Sequence, residues 1–443
     1  MRKSIFRHLY IQVLVAILIG VAVGYFLPKE YGSDLKILSD GFIRLIRMMV
    51  APIIFTSVVV GLAGLGSLKR IGRIGLKSLL YFEAMTTLAL VIGFIVVKLF
   101  HPGSGVNADL TSLDPRDVQN VQVYKTKAEA QTISGFILNI IPKSMVGAFA
   151  DGEIIQVLFI SVFFGIALSS LGAANRPIIS ALDQVYHALM KMIAIIIKLA
   201  PIAAFCAIAY AMSNLGATSI VSMVKLLVSV YLSCIFFIIF CLGFLLYLNG
   251  INLWKFLRYI REEIFIVLGT ASSEPVFPRM MVKMERLGCS KPVVGLVLPA
   301  GYTFNLDGSS IYLTLGALYI AQATNTHLTF WQEITILAVS IITSKGAAAV
   351  VGSAFITLAA TLGAMKIIPV EGMVLIIGVD QLLASARATT NLIGNGTATI
   401  VIARWEKEFD DKQAAQVLNS KTIEPMPQST APASPMEITA NED

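Results

Sequence analysis

The sequence predicts an all-helical protein threaded repeatedly through a membrane. Three observations carry that prediction. Of 443 residues, 56% are hydrophobic and 14% charged, where soluble domains carry about 25% charged residues. Apolar stretches of bilayer-spanning length recur along the chain. Polar residues inside those stretches recur at helical spacing. Backbone in lipid must satisfy its own hydrogen bonds, so helices are the expected element. The net charge of +7 is read as Lys and Arg gathered in cytoplasmic loops rather than as a nucleic-acid surface.

The first span runs from Leu9 to Leu27, after a basic start; it is long and lacks a small-residue cleavage site, so no cleaved signal is expected. The second runs from Phe42 to Leu65, with Arg44 and Arg47 near its outer start, where they are expected to snorkel to the interface. A basic loop with Lys69, Arg70, Arg73 and Lys77 precedes the third span, Ser78 to Phe100. A polar stretch follows, and spans four to six lie near 135–172, 186–213 and 221–249. The fourth is too long for one straight crossing, and Pro142 and Gly152 predict a break in it. Basic loops place the N-terminus, Lys69–Lys77 and Lys255/Arg258/Arg261 on one side, the cytoplasm. The tail after Trp405, 411–443 above all, reads as a disordered cytoplasmic end.

Beyond residue 262 the pattern changes. An apolar arm too short to cross, Glu263–Gly269, is interrupted by Thr270-Ala271-Ser272-Ser273-Glu274-Pro275. A full span from Val293 to Ala321 follows, broken at Asn305-Leu306-Asp307-Gly308-Ser309. The theme then recurs: a segment from Ile334, interrupted at Thr343-Ser344-Lys345-Gly346, precedes a span carrying Asp380, Arg387, Thr390, Asn391 and Asn395. If both interrupted segments are re-entrant, the two units are inverted repeats, and such interruptions at matching positions point to a transporter's midplane site. Positions 380, 384, 387, 391 and 395 form one helical stripe. A charge near the bilayer centre costs about 2.5–3.5 kcal/mol on insertion scales, so the stripe faces protein, water or cargo. The competing reading is an internal Asp380–Arg387 pair that pins helices. Glu274 and Lys345 sit at the two tips, as a gating contact or as solvated charges.

Other chemistry has no anchor. Cys206, Cys234, Cys241 and Cys289 form no CxxC pair and read as inert thiols. The four histidines are scattered near segment ends, and neither HExxH nor GxSxG occurs, so no enzyme is expected.

The stretches ASSEPVFPRM, GYTFNLDGSSIYLT, SKGAAAVVGSAF and GVDQLLASARATTNLIGNG, in that order, resemble the dicarboxylate/amino acid:cation symporter family, most closely its bacterial C4-dicarboxylate branch. The resemblance covers residues 8 to 410. It implies eight transmembrane helices, two re-entrant hairpins and a homotrimer in the inner membrane with both termini cytoplasmic. It implies one transporter domain over 1–410: a scaffold of about 8–66 and 133–213, and a transport region of about 78–100 and 221–404 that moves against it. The cargo implied is succinate, fumarate or malate, with glutamate or aspartate as the alternative. In the amino-acid carriers an acidic residue three before the eighth-span arginine receives the substrate ammonium. That position here is Ala384, which leaves a buried cation without a partner. The dicarboxylate branch usually carries Ser-Glu where this chain has Ala384-Ser385.

From these residues the expected roles follow. Arg387 grips one substrate carboxylate with its planar fork. Ser272 and Ser273, with backbone groups of Ala349, Val350 and Gly352, hold the other. Thr390 and Asn391 match family positions that bond the substrate, or else act as helix–helix glue. Asn305, Asp307, Asn391 and Asn395 offer hard oxygens to Na+, with Asp380 stabilising the cation region by resemblance; the carboxylates carry protons in the alternative. Third-span positions that help bind an additional sodium in some family members are Phe82, Met85 and Thr86, of which two lack a side-chain oxygen. No cofactor is expected.

Overall fold

The computed structural model describes residues 9–63, 68–108, 121–122, 138–213, 220–345, 353–365, 367–377 and 379–420. Among these residues the regular structure is helical, with one isolated bridge between Cys289 and Phe409.

The first half gives α1 (Leu9–Phe26), α2 (Lys29–Ala63), α3 (Leu68–Phe100), α4 (Met145–Asp151), α5 (Ile154–Ser170), α6 (Arg176–Ile196), α7 (Ala200–Ser213) and α8 (Ile220–Phe236). The expected break in the fourth span falls at Gly152, whose left-handed φ of 69° ends α4. Its backbone N–H donates to Ala148 O, closing the helix end. α3 has 33 residues, about 50 Å at 1.5 Å per residue, so it overshoots an apolar layer of about 30 Å. α8 passes through a π turn, Phe237–Leu242, before continuing as Gly243–Leu248.

The second half gives α9 (Leu253–Tyr259), α10 (Arg261–Thr270), α11 (Phe277–Arg286), α12 (Lys291–Phe304), α13 (Asp307–Ala323), α14 (Phe330–Lys345), α15 (Ser353–Met365), α16 (Val374–Ile377), α17 (Asp380–Trp405) and α18 (Asp411–Asn419). Four stretches among the described residues are long and apolar enough to cross a membrane unbroken: Asp34–Val60, Lys69–Phe100, Arg176–Tyr210 and Met223–Leu248. Shorter apolar helices are Ile11–Phe26, Ile154–Ser170, Phe330–Ile341 and Ala354–Met365.

Two groups of helices result. α1, α2, α5, α6 and α7 pack on one another, with α1 against α7 and α2 against α5, α6 and α7. α3, α8 and the helices from α10 to α17 form the second group, with α3 against α13 and both α12 and α13 against α17. They meet where α10 lies on α1 and α7, and where α12 lies on α2 and α5. α17 is buried almost throughout, from Ser385 to Ala403.

One expectation is corrected. The tail is ordered at its start: residues 411–419 form α18 and pack against α9 and α11. Asp410 caps this helix by accepting from the backbone N–H of Lys412 (2.9 Å) and Gln413 (3.0 Å). Asp410 N–H donates to Gly288 O at 2.9 Å, and Gln413 Nε2 to Arg286 O at 2.7 Å. A polar stretch is held here by bonds to another element's backbone, which composition does not register. Residues 421–443 lie outside the described residues.

Candidate functional site

The site is built where α12 stops. Asn305 (φ −114°, ψ 71°) and Leu306 (φ −102°, ψ 57°) leave the helical region, and the chain re-enters it at Asp307. An interrupted helix at this depth frees backbone oxygens and aims side chains inward. Asn305 and Asp307 are fully buried, and Asn395 nearly so. Asn305 Nδ2 donates to Asn395 Oδ1 at 3.0 Å and to Asp307 Oδ2 at 3.3 Å. Asn305 Oδ1 is buried and accepts no hydrogen bond. A buried amide oxygen without a donor is costly, and beside a carboxylate it suits a dehydrated cation. Of the residues expected to offer oxygens to a cation, Asn305, Asp307 and Asn395 are thus brought together by the break and α17.

Two glycines permit this closeness. A Cβ on Gly394 would land on the Asp307 carboxylate, and one on Gly308 would sit 2.8 Å from the Cα of Arg387. Asn391 fastens the same contact: its Oδ1 accepts from Gly308 N–H at 2.8 Å, and its Nδ2 donates to Ser309 Oγ at 3.3 Å. Asn391 therefore caps the reopened helix α13 rather than standing free.

Arg387 lies one helical turn from Asn391, with 5% of its side chain exposed. Its Nη1 donates to Asp380 Oδ1 at 2.7 Å and its Nη2 to Asp380 Oδ2 at 3.4 Å. Its guanidinium stacks over Tyr312, 4.1 Å from the ring centroid. The internal pair weighed against a substrate role is thus present. Asp380 stands with Arg387, and fifteen residues along α17, about 22 Å at helical rise, separate it from Asn395. It does not join the oxygen cluster.

At the first hairpin, α10 ends at Thr270 and Ala271 takes φ 53°, turning the chain. Ser272 is buried and its Oγ accepts from Glu274 N–H at 3.3 Å. Ser273 O accepts from Tyr302 OH at 3.0 Å, tying the tip to the last turns of α12. The Thr390 hydroxyl donates to its own helix, to Ala386 O at 2.9 Å. On α3, Phe82, Met85 and Thr86 are buried, and Thr86 Oγ1 donates to Phe304 O at 3.4 Å. Ala349, Val350 and Gly352 lie outside the described residues, as does the Lys345 side chain.

Several charged groups escaped the sequence reading. Arg47, expected only to snorkel, pairs with Glu274. Between the arms of the first hairpin, Glu263 is fully buried and meets Lys283 Nζ at 2.6 Å and Arg279 Nε at 2.9 Å, while Arg279 also meets Glu262 at 2.5 Å. The signal was there in kind, Glu262-Glu263 on one arm and Arg279 with Lys283 four apart on the other. Only pairing of the arms gives it meaning.

A buried arginine and a buried oxygen cluster flank an interrupted helix, an arrangement found in membrane carriers. The model of the sodium:dicarboxylate symporter family matches residues 9–405, and the chain belongs to that family. It is 51% identical over 422 residues to a C4-dicarboxylate transport protein of Geobacter sp. (strain M21), covering 95% of each chain. It is 51% identical over 418 residues to one of Laribacter hongkongensis (strain HLHK9), covering 94% of each. It is 50% identical over 419 residues to one of Pseudomonas syringae pv. syringae (strain B728a), covering 95% of this chain and 92% of that one.

Proposed function

We propose that the protein imports C4-dicarboxylates such as succinate, fumarate and malate, with Na+ as the coupling ion. The observation that carries this is the pairing of two unlike buried centres across Gly308: the Arg387 guanidinium on one side, and the oxygens of Asn305, Asp307 and Asn395 on the other. A dianion needs more positive charge than one arginine supplies, and Arg387 is already shared with Asp380. A cation at the oxygen cluster supplies the remainder and lends its gradient.

Arg387 receives one substrate carboxylate with donors that Asp380 leaves open, while Tyr312 keeps the guanidinium plane fixed. The tip at Ser272 and Ser273, with Ala349, Val350 and Gly352 of the second hairpin, receives the other. Asn391 relays between centres, since the amide that caps α13 lies one turn from Arg387. Thr390 lines the same face. Ala384, half-buried one turn before Arg387, brings no carboxylate for an ammonium group, which favours dicarboxylates over aspartate or glutamate.

Translocation is by movement of α3, α8 and the helices from α10 to α17 against a scaffold of α1, α2 and α4 to α7, within a homotrimer of the inner membrane whose termini face the cytoplasm. The separate packing of the two helix groups supports this division. The test is uptake of labelled succinate in proteoliposomes with sodium and proton gradients imposed one at a time. Uptake against a concentration gradient is expected under inward sodium alone. Accumulation under a proton gradient alone would replace sodium by protons as the coupling ion, and failure to accumulate under either would reduce the protein to a passive path.

A further inference from the structure

The tip of the first hairpin is held from two sides. On one, Tyr302 of α12 donates a neutral bond to Ser273 O. On the other, Glu274 meets Arg47 of α2, with Nε 3.3 Å from Oε2 and Nη2 3.4 Å from Oε1. The Glu274 side chain is 5% exposed and that of Arg47 37%. Glu262 and Glu263, on the hairpin's first arm, are compensated by Arg279 and Lys283 on its second arm. Glu274 is thus compensated from the opposite helix group, while its backbone travels with α12.

We propose that Arg47 and Glu274 form a charge latch between the scaffold helix α2 and the hairpin tip, closed in this conformation. This rests on the moving-body reading above. When α10 to α13 slide past α2, the Tyr302–Ser273 bond moves with the tip and survives, whereas the Arg47–Glu274 pair parts. A buried carboxylate stripped of its cation is strongly disfavoured until water reaches it. Arg47 loses less, being partly exposed already. One charge pair between the two groups therefore sets the depth of the closed conformation.

The test uses the full chain in proteoliposomes, with spin labels on Met48→Cys of α2 and Trp331→Cys of α14, both exposed positions. Glu274→Gln and Arg47→Gln are each expected to shift the ratio of closed to displaced distances about tenfold toward displaced, equivalent to about 1.4 kcal/mol. The exchanged pair Arg47→Glu with Glu274→Arg is expected to restore the native ratio, which a merely structural contact would not do. Ratios within about twofold of native in both single variants, or no recovery in the exchanged pair while the protein keeps its native oligomeric mass, would overturn the latch. One unchanging distance in every variant, with uptake intact, would instead remove the moving-body reading beneath it.

Discussion

At the scale of single residues, the two buried centres ask for opposite effects on substitution. Arg387 is the cation nearest the proposed cargo, and Asp380 depends on it for charge balance. Arg387→Ala is expected to lower succinate uptake at least about thirtyfold, as truncating one partner of a buried, hydrogen-bonded charge pair at a binding site costs about 2 kcal/mol or more, with the protein still inserted. Asp307→Asn keeps the shape of the oxygen cluster but removes its charge. It is expected to raise the sodium concentration for half-maximal uptake about tenfold or more, with a smaller change in succinate affinity at saturating sodium. Titrating sodium and succinate separately on both variants checks this. An unchanged sodium curve in Asp307→Asn would take that carboxylate out of the coupling site.

At the scale of elements, the residues that follow α17, up to Asn419, form a strap. Arg73 Nη2 donates to Glu406 Oε2 at 2.6 Å and Lys77 Nζ to Glu406 Oε1 at 2.6 Å, while Arg70 Nε donates to Glu408 Oε1 at 2.8 Å. Ser290 donates to Glu408, and Arg404 pairs with Asp411. The basic turns of α3 are thus neutralised by the end of α17, and α18 is laid over the base of the first hairpin. Burial alone would raise the Glu406 carboxyl, but the hydrogen bonds from Arg73 and Lys77 and their charges hold it below its ordinary value. A carboxyl depressed in the folded state contributes stability above its unfolded value, about 4.3, and loses that contribution as pH falls through the folded value. Glu406→Gln is therefore expected to lower the melting temperature at neutral pH, with the difference from native fading on acidification below about pH 4. Melting curves at several pH values check this, and a difference independent of pH would mean that shape rather than charge holds the strap.

At the scale of the whole molecule, the first helix group presents apolar side chains outward. Leu18, Ile19, Tyr25 and Phe26 of α1, and Met48 of α2, are exposed. Such surface faces lipid tails or a neighbouring copy, and the proposed trimer takes its contacts from this group so that the second group stays free to move. The expected mass of the purified protein, after correction for bound detergent by light scattering, is that of three chains. A monomeric mass with full uptake would separate transport from assembly.

Much of this was legible in the chain. Interruptions in apolar stretches are readable one segment at a time, because lipid forbids unpaired backbone unless a cavity or a partner receives it. The breaks at Gly152, at Ala271 and at Asn305-Leu306 follow from that rule. So does the stripe on α17, because helical spacing puts its residues on one face whatever surrounds them. What the sequence could not reveal was which charge answers which. Arg47 lies 227 positions before Glu274 and Arg73 lies 333 before Glu406. Nothing local distinguishes a snorkelling arginine from a paired one, or a disordered tail from a strap. The sequence by itself determined that polar groups stand inside apolar helices. The tertiary structure decided their partners, because an ion pair depends on distance in space and the chain encodes that distance only through the packing of all its helices together.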